Sequence, residues 1–124
     1  MGQKKILVVD DEEGFLKLFK LNLEKEGRYS VKTVKNSAQA PEAAKEFQPD
    51  IIFLDIIMPG VAGGEVAQIL KQNPSTKDIP IVFLTAVARP TEVDSSGGYI
   101  GGRPFLAKPA DTKDIIATVE KYSR

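Results

Sequence analysis

The stretch KKILVVDDEEGF, residues 4–15, runs directly from an apolar segment into a block of acidic residues. Residues 6–9 are consecutive aliphatic side chains, as expected for a strand that is covered on both faces of a parallel sheet. Four carboxylates then follow, those of Asp10, Asp11, Glu12 and Glu13. Because like charges repel, this block indicates either the acidic first turn of a helix or a place where a cation binds.

The alternation of apolar runs and helical patterns continues to the end of the chain. Strands are predicted at 4–9, 31–35, 50–55, 79–84 and 104–107. Helices are predicted between and after them, at 12–26, 37–47, 63–72 and 111–122. Strands that alternate with helices form βαβ units with right-handed crossovers. We therefore expect one domain over residues 1–124, an α/β fold with a doubly wound five-stranded parallel sheet and helices on both faces.

The predicted helices carry apolar stripes that should face the sheet. The first helix, which should end at Gly27, places four residues on one stripe: Phe15, Leu18, Phe19 and Leu23. The helix at 63–72 carries Val66, Ile69 and Leu70, and the last helix carries Ile115, Ile116 and Val119. Pro41 fits the helix at 37–47 because the first turn tolerates proline.

The segment ARPTEVDSSGGYIGGR, residues 88–103, occupies the place of a further helix but contains four glycines. Each glycine in a helix interior costs about 1 kcal/mol relative to alanine. We expect a short or frayed helix that begins near Pro90, and a surface loop is an equally good interpretation.

The composition excludes several classes of function. The 124 residues contain 17 basic and 17 acidic side chains, with no histidine and no cysteine. Catalysis by a histidine-activated serine, a thiol nucleophile and a zinc–thiolate site are therefore excluded. No basic stripe indicates direct binding of nucleic acid, and no stretch is long enough to span a bilayer. We expect a soluble cytoplasmic domain.

Polar residues follow the predicted strands at the point where each strand ends. Asp10 and Asp11 follow the first strand, Asp55 ends the third, Thr85 follows the fourth and Lys108 follows the fifth. Each has a structural interpretation by itself, such as a helix start or a loop cap. Ligands of open parallel sheets, however, bind beyond the carboxyl ends of the strands. The joint occurrence of these side chains at one edge predicts a functional site there.

The charges of this predicted site require compensation, because three neighbouring carboxylates cannot all stay ionised without cations. Lys108 supplies one positive charge, and a divalent cation would supply two more. An all-oxygen site with carboxylates and a substrate phosphate suits Mg²⁺. With Mg²⁺ bound, an aspartate can act as the nucleophile toward a phosphoryl group. Glu12 and Glu13 are sufficiently explained as residues of the first helical turn.

The motifs VVDDEE, FLDIIMPGVAGGE, FLTA and FLAKP occur in this order along nearly the whole chain. In their order and separations the chain resembles the response regulator receiver domain, the CheY-like module of two-component signalling. The resemblance implies the sheet order 2-1-3-4-5. It also implies that Asp55 is the phosphoacceptor. Mg²⁺ would be bound directly by Asp11, Asp55 and the backbone carbonyl of Ile57, and through a water molecule by Asp10.

The resemblance further assigns roles to residues of the last two strands. Lys108 would contact the phosphoryl group, and Thr85 would be the switch hydroxyl that turns inward to bind it. Phe105 matches the aromatic switch position, although it lacks the hydroxyl of a tyrosine. The peptide bond between Lys108 and Pro109 would be cis, which is consistent with cis bonds being largely confined to proline.

The function implied is a phosphorylation-dependent signalling switch with a sensor histidine kinase or a histidine phosphotransfer protein as phosphodonor. Such a domain catalyses only its own phosphorylation and dephosphorylation and is not an enzyme toward an external substrate. It would be a monomer or a phosphorylation-dependent dimer. Ala62 replaces the usual acidic or asparagine residue of the loop after Asp55, and Arg103 and Pro104 replace a usual acidic pair. Because the second change alters the common output surface of the family, the output partner is not predicted.

Three other functions are alternatives to a phosphorylation-dependent switch, and the sequence argues against two of them. A phosphatase of the haloacid dehalogenase type needs a second aspartate two residues after the nucleophile, where this chain has Ile57. A flavodoxin-type protein needs a phosphate loop after the first strand, where this chain has acids that repel phosphate. The alternative that remains open is a receiver-fold protein-interaction module that acts independently of phosphorylation.

Overall fold

A computed structural model describes residues 3–56, 63–85, 99–100, 103–108 and 111–124. The strands are β1 (Lys4–Val9), β2 (Tyr29–Val34), β3 (Ile51–Asp55), β4 (Ile81–Thr85), β5 (Tyr99–Ile100) and β6 (Arg103–Ala107). The helices are α1 (Glu13–Glu24), α2 (Ala40–Phe47), α3 (Gly63–Gln72) and α4 (Thr112–Tyr122). A turn of 3₁₀ helix, Ser37–Gln39, precedes α2.

The strands form one sheet in the order β2-β1-β3-β4-β6-β5. The pairs β2–β1, β1–β3, β3–β4 and β4–β6 are all parallel. The predicted five-stranded parallel sheet of order 2-1-3-4-5 is therefore confirmed, with β6 as its fifth strand. The structure adds β5, which has two residues and pairs with β6 in antiparallel orientation at the edge of the sheet. This strand lies in the glycine-rich segment, where no apolar run indicated one.

Most element boundaries agree with the sequence prediction, and the differences have local causes. β4 begins at Ile81 because Pro80 has no N–H to donate to a neighbouring strand. The predicted helix at 37–47 is divided into the 3₁₀ turn and α2, with Pro41 in the first turn of α2 as expected. Gly27 adopts a φ of +77° just beyond α1, in the left-handed region that glycine enters without strain.

Two hydrophobic clusters cover the two faces of the sheet. One contains alternate residues of β1 and β3, including Leu7 and Ile52, and packs against α2 and α3. The other contains the intervening residues, including Ile6 and Phe53, and packs against α1 and α4. Because successive side chains of a strand point to opposite faces, the helices lie on both faces as predicted. In the described part of the chain, no helix is both long enough and apolar enough to cross a membrane.

The prediction of a buried side chain was wrong for two residues. Leu18 on α1 is 60% exposed and Ile69 on α3 is 45% exposed. α1 instead packs through Leu16, Phe19 and Leu23, and Leu18 lies on the opposite side of that helix. In α3 the small residue Ala67 takes a buried position, which turns the packed face away from Ile69.

Tyr29 connects β2 to the last helix at the end of the sheet that lies away from Asp10. Its side chain is buried, and its hydroxyl donates a hydrogen bond of 2.8 Å to Oε2 of Glu120. Burial, followed by this hydrogen bond and the negative charge of Glu120, raises the pKa of Tyr29 above its ordinary value of 10.0.

We expect Tyr29 to make the folded state less stable in alkali. A pKa raised by folding stabilises the native state at all pH values below the unfolded value, and this stabilisation is lost as pH rises through the folded value. Above pH 10.0, the free energy of unfolding should therefore fall by up to about 1.4 kcal/mol per pH unit through this group. Urea denaturation of the wild type and Tyr29→Phe between pH 8 and pH 11 measures this. Equal alkaline slopes for both proteins would contradict the assignment.

Candidate functional site

The carboxyl ends of the two central strands bring three aspartates together. Asp10 directly follows β1, and Asp55 is the last residue of β3. One carboxylate oxygen from each of these residues and one from Asp11 lie within 4.8 Å of one another. The side chains of Asp10 and Asp55 are buried, whereas Asp11 is exposed to solvent. The cluster is thus an acidic site with one open side.

Lys108, which follows β6, places its ammonium group among these acids. Its Nζ lies 2.7 Å from Oδ2 of Asp10, 2.6 Å from Oε1 of Glu12 and 3.8 Å from Oδ2 of Asp55. The backbone N–H of Lys108 donates to the carbonyl oxygen of Thr85 at 2.8 Å, which fixes the end of β6 against β4. The site therefore combines residues from the ends of four neighbouring strands of the sheet, as the sequence predicted.

Two opposing effects act on the pKa of Lys108. Burial alone would lower this pKa, because it penalises the charged ammonium. The hydrogen bonds to Asp10 and Glu12 and the negative charges of Asp10 and Asp55 outweigh burial and raise the pKa above its ordinary value of 10.5. Lys108 is therefore fully charged at neutral pH and compensates one of the negative charges of the cluster.

Glu12 also belongs to this site, although the sequence predicted only a residue of the first helical turn at this position. It occupies the N-cap position of α1 but makes no side-chain capping bond, and its carboxylate binds Lys108 instead. Asp10 supports this arrangement, because its Oδ1 accepts a hydrogen bond of 2.9 Å from the backbone N–H of Glu12. The sequence signal was present in the acidic block, but a helix start explained Glu12 equally well.

Gly63, the first residue of α3, lets this helix approach the backbone of the phosphoacceptor candidate. Its N–H donates to the carbonyl oxygen of Ile56 at 3.1 Å. A Cβ atom at position 63 would overlap the carbonyl oxygen of Asp55 and would lie 2.8 Å from Cα of Ile56. A residue without a side chain is therefore required where α3 packs against the end of β3.

Thr85 and Phe105 lie on neighbouring strands close to the aspartates. Thr85 is the buried last residue of β4 and pairs with Ala107 of β6. Phe105 pairs with Phe83 and is partly buried against the cluster that packs on α2 and α3. Because residues two apart share a face of a strand, Thr85 and Phe105 project from the same face of the sheet.

Several predicted features lie outside the described residues. These are the backbone carbonyl of Ile57 as a Mg²⁺ ligand, the peptide bond between Lys108 and Pro109, and most of the segment 88–103.

The described side chains fit a bound Mg²⁺ ion. All the candidate ligand atoms are carboxylate oxygens, which are the donors that a hard divalent cation prefers. The exposed position of Asp11 leaves room for the water molecules that Mg²⁺ retains. Two additional positive charges would also relieve the repulsion among the three clustered carboxylates, of which Lys108 contacts those of Asp10 and Asp55.

Comparison with known proteins identifies the family. Residues 6–120 match the model of the response regulator receiver domain. The chain therefore belongs to this family, and it is a receiver domain of the kind found in two-component response regulators.

Individual relatives support this assignment over nearly the full chain. The phosphate regulon transcriptional regulatory protein PhoB of Rhizobium meliloti is 37% identical over 97% of this chain, which corresponds to 52% of the PhoB length. The response regulator PleD of Caulobacter vibrioides is 38% identical over 97% of this chain and 26% of its own length. The chain thus spans about half or less of these relatives. The chemotaxis protein CheY4 of Vibrio cholerae superposes with a TM-score of 0.83 at 26% identity, covering 97% of this chain and 98% of that one.

Proposed function

We propose that this domain is a phosphorylation-dependent switch in which Asp55 accepts a phosphoryl group. The observation that carries the proposal is the position of Lys108, whose ammonium binds Asp10 and lies 3.8 Å from the carboxylate of Asp55. The carboxylate of Asp55 is buried and has this cation beside it. The site is open to solvent next to Asp11, and a phosphodonor can approach from that side.

In the transfer step, an oxygen of Asp55 attacks the phosphorus atom of the donor and forms an acyl phosphate bond. The bond between phosphorus and the donor breaks, and its electron pair leaves with the donor. Lys108 lies within 3.8 Å of Asp55 and supplies positive charge to the oxygens of the transferred group. Asp11 and Asp55, with Asp10 acting through a water molecule, would hold Mg²⁺, which would supply further positive charge beside Asp55 when bound. The domain thus catalyses only its own modification.

Conformational change would follow from the new charge on Asp55. Thr85 ends the neighbouring strand, and its hydroxyl would turn toward the phosphoryl oxygens to donate a hydrogen bond. Phe105 lies on the same face of the next strand and is only partly buried, so it would move into the space that Thr85 vacates. This motion would shift a pre-existing equilibrium between two conformations.

The phosphodonor would be a sensor histidine kinase or a histidine phosphotransfer protein, because the chain has no histidine of its own. We infer a cytoplasmic location from this proposed donor.

Intact mass measurement tests the proposal. Incubation with acetyl phosphate and Mg²⁺ should add one phosphoryl group to the wild type, and the addition should require Mg²⁺. Asp55→Asn should abolish the addition, because an amide lacks the nucleophilic carboxylate oxygen. Asp50→Asn is a matched control, since Asp50 is a half-exposed residue that binds Lys5 and Arg124 away from the site. No mass gain in the wild type would favour the interaction module that acts independently of phosphorylation.

A further inference from the structure

The ammonium group of Lys108 is enclosed on several sides. Asp10 and Glu12 each accept a hydrogen bond from it, at 2.7 Å and 2.6 Å. The ring of Phe15 covers another side, with its centroid 4.6 Å from Nζ. The carboxylate of Asp55 is farther away, at 3.8 Å, which is beyond hydrogen-bond distance. Lys108 is therefore held nearer to Asp10 and Glu12 than to the proposed acceptor.

Glu12 is positioned for this contact rather than for stabilising α1. The N-cap position favours serine, threonine, aspartate or asparagine, whose short side chains bond to the first turn of a helix. Glu12 makes no such bond. Its backbone N–H is held by Oδ1 of Asp10, and its side chain reaches the same lysine that Oδ2 of Asp10 binds. Asp10, Glu12 and Lys108 thus form a closed ring of hydrogen bonds.

From this geometry we infer that Glu12 is a positioning residue that restrains Lys108 on the Asp10 side and thereby slows phosphorylation of Asp55. The inference rests on the proposed function, in which Lys108 contacts the phosphoryl group. To make a charge-assisted hydrogen bond with a group on Asp55, the ammonium must move about 1 Å from its present position. That movement weakens the contact with Glu12, so the contact stabilises the resting state relative to the transition state.

The expected effect is moderate because the side chain of Glu12 is 62% exposed to solvent. Contacts between a lysine and an exposed carboxylate are weakened by water. Glu12→Gln should therefore increase the rate of phosphorylation by acetyl phosphate about two- to fivefold. The rate is measured as the gain of one phosphoryl group over time at saturating Mg²⁺.

Removing the negative charge of Glu12 would also favour the approach of an anionic donor. Two further variants distinguish this effect of charge from the release of Lys108. Glu13→Gln removes the same charge one residue later, from a side chain that pairs with Lys17 and Lys35 instead. Glu12→Asp keeps the charge but shortens the side chain by one methylene group. If restraint is the cause, Glu12→Asp increases the rate as Glu12→Gln does, and Glu13→Gln leaves it within about 1.5-fold of the wild type.

A double mutant tests whether Glu12 acts through Lys108. Both Glu12→Gln and Glu13→Gln are introduced into the Lys108→Met protein. There, the two substitutions should have the same effect on the rate of phosphorylation. An increase that persists without Lys108, or a rate for Glu12→Asp equal to the wild type, would overturn the inference. A wild type that gains no phosphoryl group would instead contradict the proposed function, so the two failures are distinguishable. Thermal denaturation of each variant confirms that it is folded.

Discussion

Gly63→Ala is expected to destabilise the domain by about 3 kcal/mol, because overpacking against rigid backbone cannot be relieved by a change of rotamer. The added Cβ atom would meet the carbonyl group of Asp55 and Cα of Ile56, both of which belong to the backbone. α3 must therefore move away from the end of β3, or the end of β3 must distort. The second movement displaces the carboxylate of Asp55, the proposed acceptor, so we also expect phosphorylation by acetyl phosphate to be lost or greatly slowed.

The neighbouring residue supplies a matched control for this prediction. A Cβ atom on Gly64 would meet no atom within 4 Å, and Gly64 has no φ in the left-handed region. Gly64→Ala should therefore stabilise α3 by about 0.5 to 1 kcal/mol through helix propensity alone. Urea denaturation of both variants measures the difference. If alanine is tolerated equally at both positions, α3 does not pack against the backbone of Asp55 as described.

Lys108→Met is expected to produce the second large effect, a loss of about 3 kcal/mol of stability at neutral pH without Mg²⁺. The variant keeps the length of the apolar stem but removes the charge. Asp10 then retains only the N–H of Glu12 as a described partner for its buried carboxylate. Asp10 and Asp55 also lose the cation that separates their charges. For a domain of this size, the melting temperature should fall by about 10 to 15 °C.

Mg²⁺ should restore more stability to Lys108→Met than to the wild type, because the aspartate cluster of the variant has no ammonium nearby to repel the ion. Thermal denaturation with and without Mg²⁺ measures both effects. Lys17→Met is the control, since Lys17 is 77% exposed and lies 3.9 Å from its partner Glu13. This control should change stability by less than about 0.5 kcal/mol. Equal melting temperatures for Lys108→Met and Lys17→Met would contradict the assigned role of Lys108.

Much of the fold could be predicted from the sequence because β1, β3 and β4 are nearly continuous apolar runs. β1 has the predicted bounds, and so does α3. The convergence of Asp10, Asp55 and Lys108 could also be predicted, since the carboxyl ends of parallel strands meet at one edge whatever the detailed packing.

The features that could not be predicted depend on the orientation of side chains and on weak local signals. The exposure of Leu18 follows from the rotation of α1 about its axis, which buries Leu16 in its place, and a single apolar residue does not fix that rotation. The contact of Glu12 with Lys108 joins residues 96 positions apart, and no local pattern encodes it. The strand β5 has only two residues, which is too short to produce a recognisable alternation.

The ion pair between Asp10 and Lys108 spans 98 positions of the chain. Its formation requires that β6 has already docked beside β4. Contacts of such large separation form late, because the entropy of closing a long loop opposes them. A domain in which β6 has not yet docked would hold all three aspartates and yet lack the ammonium group of Lys108 beside them. Until β6 docks, the acidic cluster would therefore keep its full negative charge, and the final shape of the site would depend on the last strand to join the parallel sheet.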